Sequence, residues 1–195
     1  MRYYHWFRFL VLTSYISTAG VFVLGFPNFL QAQTLNTNSG QNLGPSGLPL
    51  PRFASIKPTR VNVRIGPGSN YSIIFTYKKQ GLPIEIIQEY DQWRKIRDAE
   101  GDEGWVYQSL LSGKRTAITI PWQKDKTKRL MLRKNPAENA KLVAEVEPNV
   151  IGNIRQCNGH WCELNINNIR GWLHQAQLWG IYPDEKIENK KFVNL

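Results

Sequence analysis

The sequence contains two diverged copies of one segment, and this duplication limits the possible folds more than any other feature. The run GWVYQSLLSG begins at Gly104, and GWLHQAQLWG begins at Gly171. Upstream, VNVRIGPGSNYSII from Val61 aligns with LMLRKNPAENAKLV from Leu130. A repeat of this kind indicates two similar folding units. Each copy has about 55 to 60 residues, a size at which folding buries only about 60% of the unfolded surface. We therefore expect two small cores, stabilised by packing between the copies or by a covalent link.

The sequence after Phe53 predicts β-strands and no α-helix. Short runs of β-branched residues alternate with turn residues, and helical periodicity is absent. The alternation of valine with polar residues from Val61 to Arg64 is typical of a half-buried strand. A 3₁₀ turn fits VYQSLL. The strands predicted in the first copy are 53–57, 61–65, 73–77, 84–90, 93–97, 104–107 and 115–120.

The first turn of each copy has a different composition. The second copy has Asn135 and Ala137 where the first has Gly66 and Gly68. Glycine accepts positive φ angles, which alanine adopts poorly. We therefore expect the two loops to differ in shape.

The chain begins with a segment typical of exported proteins. Arg2 and Arg8 carry the only formal charges among the first 33 residues, and residues 9–26 are largely apolar. This pattern predicts a secretory signal peptide at 1–32. The alternative is an uncleaved anchor, with membrane association through residues 1–30.

The remaining boundaries follow from composition and from the repeat. The uncharged stretch 33–51 is rich in Asn, Gly, Ser and Pro, which predicts a flexible linker. The predicted segments after it are a first domain at 52–120, a basic connector at 121–129, a second domain at 130–182 and a C-terminal tail at 183–195.

The chain is strongly basic, with a formal net charge of +10. Part of this charge lies in QKDKTKR, which begins at Gln123. A cationic exported protein favours anionic envelope partners, such as peptidoglycan carboxylates or lipid phosphates, although a solvated linker is the simpler explanation of the cluster. Nucleic acid is the usual partner of a basic protein, but export argues against it.

The run VNVRIGPGSNY, followed by GLPIEIIQEYDQWRKIRDAEGDEGWVYQSLLSG, resembles the bacterial Src-homology-3-like (SH3-like, SH3b) domain. It is especially similar to the tandem exported type found in proteobacteria, over about residues 53–180. The resemblance implies an all-β chain of two small half-open SH3-like β-barrels. It also implies a protein that is not an enzyme and is related to modules that attach wall-lytic enzymes to cell-wall material. With the predicted export segment, we expect a periplasmic or cell-envelope location, and we expect no cofactor.

The resemblance also nominates ligand-binding residues by position. Tyr71, Trp93 and Tyr107 correspond to aromatic residues near the ligand face, and Arg64 is a possible partner for a carboxylate. The second copy has Ala140, Trp161 and His174 in place of the three aromatic residues, so the first copy is the better candidate. The expected partner is a peptide of peptidoglycan or an envelope protein. The alternative is a purely structural pair of barrels without a ligand groove.

The two cysteines flank an Asn-Gly turn. Asn-Gly between strand-like runs favours a hairpin that places Cys157 and Cys162 on facing strands. In an oxidising compartment this arrangement predicts a disulfide. The first copy has Glu89 and Arg94 at the matching positions, so only the second copy gains the crosslink.

Two chemical alternatives use the same cysteines. Cys162 beside His160 could act as the nucleophile of a cysteine-dependent hydrolase, but residues two apart on one strand are rarely oriented for this. A zinc site could combine both cysteines with His160 and His174, but the spacing lacks the usual paired pattern. We expect neither a catalytic site nor a metal site.

Overall fold

The computed structural model describes residues 42–188, and the first part of this range forms a seven-stranded antiparallel ladder. Its elements are β1 (Arg52–Ile56), β2 (Val61–Arg64), β3 (Ile73–Tyr77), β4 (Pro83–Tyr90), β5 (Trp93–Arg97), β6 (Glu103–Tyr107), a 3₁₀ turn (Gln108–Leu110) and β7 (Leu111–Ser112). The strand order is β3-β2-β6-β5-β4-β1-β7. We call this ladder and its core the first domain.

The second ladder repeats this arrangement. Its elements are β8 (Thr116–Thr119), β9 (Leu130–Arg133), β10 (Leu142–Val146), β11 (Ile151–Asn158), β12 (Trp161–Ile166), β13 (Ile169–His174), a 3₁₀ turn (Gln175–Gln177), β14 (Leu178–Trp179) and β15 (Lys186–Ile187). The order is β10-β9-β13-β12-β11-β8-β14, and β15 pairs with β11. We call this ladder and its core the second domain.

Each ladder surrounds its own apolar core, as the duplication predicted. In β2, Val61 and Val63 point into the core while Asn62 faces solvent. The most completely buried core residues of the first domain are Val63, Ile84, Ile96 and Val106. Those of the second domain are Ala117, Leu132, Cys162 and Leu164. The all-β prediction is confirmed.

The boundary predicted between the domains is wrong. The strand predicted at 115–120 was assigned to the first domain, but β8 pairs with β11 and β14 of the second ladder. Residues 121–129 are therefore a loop between β8 and β9, and only residues 113–115 join the two ladders. Ala54 and Ala117 are equivalent positions of the two ladders, and they lie 63 residues apart in the sequence. Val61 and Leu130 are also equivalent, but they lie 69 residues apart. The longer loop of the second copy shifts the repeat, which is why sequence alignment missed β8.

The expected difference between the two first loops is also wrong at the level of the backbone. Gly68 donates to the carbonyl of Gly66 at 3.0 Å, and Ala137 donates to that of Asn135 at 2.9 Å. Neither of these glycines has a positive φ angle. Gly66 is needed for another reason: a Cβ at this position would clash with the ring of Tyr71. In the second copy Ala140 replaces Tyr71, so a larger residue fits.

The end of the predicted flexible linker is bound to the first domain. Leu43 bridges to Pro49, and the turn between them places Ser46 against Glu89. The backbone amide and the hydroxyl of Ser46 each donate to the Glu89 carboxylate at 2.8 Å. Composition gave no sign of this contact, because the acceptor lies far along the chain. Residues 33–41, the predicted signal peptide at 1–32 and residues 189–195 lie outside the described residues.

The two domains contact each other through aromatic side chains. The ring centroid of Phe53 lies 5.1 Å from that of Trp179 and 4.6 Å from that of Tyr182. The Tyr182 hydroxyl donates to Oε1 of Glu85 at 2.9 Å. Burial, together with the Glu85 carboxylate, raises the pKa of Tyr182. The contact covers apolar surface that each small core cannot bury alone.

Within residues 42–188, we find no helix of the length and hydrophobicity that a membrane crossing requires.

Candidate ligand groove of the first domain

Three of the four predicted ligand-binding residues meet in one groove. Trp93 begins β5 and pairs across the ladder with Tyr107 at the end of β6. Their ring centroids lie 5.5 Å apart at an interplanar angle of 81°. Arg64, at the end of β2, lines the same cavity, which has a volume of about 380 Å³. Arg60, Val61, Asn62 and Leu110 complete the lining.

The fourth predicted residue, Tyr71, lies outside this lining and holds the loop beside it. Its ring covers Gly66, and its backbone carbonyl accepts a hydrogen bond of 2.6 Å from Nη1 of Arg64. This bond fixes the guanidinium without neutralising it. Within residues 42–188, no carboxylate lies within 4.0 Å of the Arg64 nitrogens. Arg64 is therefore oriented and available to an anionic group.

A buried polar network supports the groove from beneath. Arg94, next to Trp93, donates to the carbonyls of Asp91 and Trp93 at 2.8 and 2.9 Å. It also donates to Oε1 of Gln108, which follows Tyr107, at 2.5 Å. Its Nε lies 3.2 Å from Oε1 of Glu89. The network thus joins the start of β5 to the end of β6, where the two groove aromatics are located.

Glu89 is the acidic centre of this network. Its side chain is almost fully buried, and Arg52 contacts it at 2.6 Å in addition to Arg94 and Ser46. Burial raises the pKa of a carboxyl group, but the hydrogen bonds from Ser46 and Arg52 outweigh burial and lower the pKa of Glu89. The carboxylate therefore stays charged at neutral pH.

The corresponding residues of the second domain contact one another and an acidic side chain. Trp161 is buried and stacks on His174 at a centroid distance of 3.7 Å. Glu138, from the first loop, reaches Nε2 of His174 with its Oε1 at 2.5 Å. Its Oε2 lies 3.8 Å from Nη2 of Arg133. Sequence reasoning missed Glu138, although it stands in PAEN where the first copy has PGSN.

The two largest cavities of the described residues have different linings. One of about 630 Å³ lies between the domains and is lined by Lys57, Lys79 and Lys114 with polar neighbours, and by no aromatic side chain of the described residues. The other, of about 790 Å³, borders Trp161 and His174 and is bounded by the C-terminal segment. The cavity of the first domain alone combines two partly exposed aromatic rings with an arginine that lacks an acidic partner within residues 42–188.

The predicted disulfide is confirmed. Cys157 and Cys162 are bonded, with their Cα atoms 4.1 Å apart on β11 and β12. Gly159 has a φ angle of 100°, and the Asn158 side chain accepts from the amides of His160 and Trp161. Both sulfurs are consumed by the bond, so the thiol-nucleophile and zinc hypotheses are wrong for these cysteines. Among residues 42–188, no cluster of three His, Cys, Asp or Glu residues has metal-binding geometry.

Comparison with known families identifies the fold. The model of the bacterial SH3 domain family matches residues 57–113 and again 126–180. The chain belongs to the bacterial SH3 domain family. The two matches fall in the two ladders, so the prediction of tandem SH3-like barrels is confirmed.

A known relative of these SH3 domains is the putative N-acetylmuramoyl-L-alanine amidase YrvJ of Bacillus subtilis (strain 168). It is 25% identical over 125 residues, which is 62% of this chain and 24% of the relative. The chain thus spans about a quarter of that protein.

Two solved structures are similar at low identity. NlpC2 from Trichomonas vaginalis shares 11% identity with a TM-score of 0.30, covering 66% of this chain and 48% of its own. An NlpC/P60 family protein from Bacillus cereus ATCC 10987 shares 13% identity with a TM-score of 0.29, covering 69% and 58%. These scores are too low to bear on how the two SH3 domains are arranged or on what they do.

Proposed function

We propose that this chain is an exported, non-enzymatic binding protein of the cell envelope, whose first SH3 domain contacts a peptidoglycan peptide or an envelope protein. The observation that carries the proposal is the groove of Arg64, Trp93 and Tyr107, which the other residues of the described range 42–188 leave open. Tyr107 is 39% exposed although it is an aromatic residue on a barrel strand. An exposed aromatic pair beside a fixed cation is suited to binding a short peptide.

The family and its relative support a cell-wall ligand. Bacterial SH3 domains typically bind the cell wall, and the relative is named as a putative amidase of N-acetylmuramoyl-L-alanine. The net charge of +10 favours anionic wall material. The disulfide agrees with a location outside the cytoplasm, such as the periplasm.

The second candidate function is a purely structural one, in which the two packed domains bind no ligand. The contact of Phe53 with Trp179 and Tyr182 favours it. This contact lies on β1, however, and it does not use Trp93 or Tyr107. The groove therefore stays accessible while the domains are packed together.

Binding to purified sacculi distinguishes the two functions. The full-length protein should sediment with sacculi at both low and high salt, and Trp93→Ala should lower the affinity at least about tenfold. Trp122→Ala is the matched control, since Trp122 is 57% exposed and lies outside the groove. Retained sedimentation of Trp93→Ala contradicts the assignment of the groove. No sedimentation of the parent protein at any salt concentration contradicts a peptidoglycan ligand and favours the structural pair.

A further inference from the structure

The second domain holds a carboxylate at the position that corresponds to the groove of the first domain. Arg133 donates to the carbonyl of Ala140 at 3.0 Å, just as Arg64 donates to that of Tyr71 at 2.6 Å. The two arginines are therefore held in the same way by the same loop. In the second domain a carboxylate, that of Glu138, lies between Arg133 and His174.

The first domain has the equivalent arginine, Arg64, but it lacks this carboxylate. Ser69 occupies the position of Glu138, and its short side chain cannot bridge the corresponding residues. Tyr107 occupies the position of His174, since each pairs across its ladder with the groove tryptophan. Its hydroxyl has no hydrogen-bond partner among residues 42–188 and can donate to an incoming oxygen.

We propose that the groove of the first domain binds a carboxylate of the peptidoglycan peptide, between the Arg64 guanidinium and the Tyr107 hydroxyl. This inference rests on the proposed function and specifies its ligand chemistry. Trp93 packs against the aliphatic part of the peptide next to that carboxylate. The second groove does not compete for the ligand, because Glu138 occupies it intramolecularly at high effective concentration.

Two physical factors favour the carboxylate. A hydrogen bond between charged groups is stronger than one between neutral groups, so amidating the ligand removes most of its attraction to Arg64. The bond to the Tyr71 carbonyl also orients the guanidinium before the ligand arrives, which lowers the entropy cost of binding.

The test measures binding of two labelled peptides to the full-length protein. One is the tripeptide L-alanyl-γ-D-glutamyl-diaminopimelate as the free acid, and the other is the same peptide with its carboxylates amidated. The free acid should bind at least about tenfold more tightly than the amide.

Substitutions at Ser69 then locate the site. Ser69→Glu supplies the carboxylate that closes the second groove, and it should weaken binding of the free acid at least about tenfold. Ser69→Gln is the matched control of nearly equal size and should bind like the parent protein. Ser69 is exposed, so both variants should fold.

The outcomes separate this inference from the proposed function. Equal binding of the acid and the amide, no binding of either, or no effect of Ser69→Glu overturns the carboxylate inference. If Trp93→Ala still lowers the affinity for sacculi in that case, the proposed function stands with another ligand group. If sacculi also bind independently of Trp93, both ideas are wrong.

Discussion

Nε of Arg94 lies 3.2 Å from Oε1 of Glu89, at the hairpin position where the second domain has its disulfide. Glu89 pairs with Arg94 across β4 and β5, as Cys157 pairs with Cys162 across β11 and β12. The two domains therefore fix the same hairpin by different chemistry. In the first domain the ion pair also reaches the ends of the strands that carry the ligand groove.

Replacing Glu89 with glutamine should destabilise the first domain. The change leaves Arg52 and Arg94 without their shared carboxylate, and removing one partner of a buried pair costs about 3 kcal/mol. Urea unfolding followed by tryptophan fluorescence measures the loss. Glu103→Gln, which breaks the exposed pair with Lys95, should cost less than about 1 kcal/mol. Equal effects of the two substitutions would show that the buried network contributes little.

The contribution of Glu89 to the free energy of unfolding should depend on pH in the acid range. Its folded pKa lies below the ordinary value of 4.5, so its stabilisation is complete above that value and is lost as pH falls through the folded pKa. The difference in unfolding free energy between the parent and Glu89→Gln should therefore shrink below about pH 4.5. Urea titrations at pH 7 and at progressively lower pH provide the measurement. A difference that stays constant with pH contradicts this assignment.

Reducing the disulfide should weaken the second domain more than the first. The bond closes a very short loop, for which the chain-entropy estimate is about 2 kcal/mol. Replacing Cys157 and Cys162 together with serine should lower the unfolding free energy by that order. It should also speed amide exchange in β15, which pairs with β11 at Cys157. Faster exchange in β4 and β5 to the same extent would argue against separate stabilisation of the two hairpins.

Replacing Phe53 with alanine should uncouple the domains. The ring packs between Trp179 and Tyr182, and its loss removes about 2 kcal/mol of apolar and aromatic contact. Calorimetry should show one unfolding transition for the parent protein and two for Phe53→Ala. Tyr90→Ala is a suitable control, because Tyr90 is 60% exposed and should leave a single transition. Two transitions in the parent protein would contradict tight coupling.

The sequence predicted the repeated features of the fold well. Alternation and turn residues located β2, β3 and β5 closely. β2 and β5 each bury one face, and Phe75 and Tyr77 of β3 are partly buried against the same core. The Asn-Gly turn likewise predicted the facing cysteines. Such features depend on residues that are near each other in the chain.

Features that depend on distant residues could not be predicted. The assignment of β8 to the second ladder follows from its pairing with β11, and the turn at Ser46 from the distant carboxylate of Glu89. The closure of the second groove by Glu138 requires Arg133 and His174 to lie nearby, which only the folded loop achieves. The nomination of Tyr71 for ligand contact stays a prediction, and its position suggests an indirect role through Arg64.

The central claim is that the first domain, and not the second, provides the binding groove. An NMR titration of the full-length protein with the wall tripeptide in its free-acid form tests this claim. The indole signals are assigned with single tryptophan-to-phenylalanine variants. The account predicts that the Trp93 signal shifts in a saturable way while the signals of Trp161 and Trp122 stay in place. A saturable shift of Trp161 with an unchanged Trp93 signal would contradict the account.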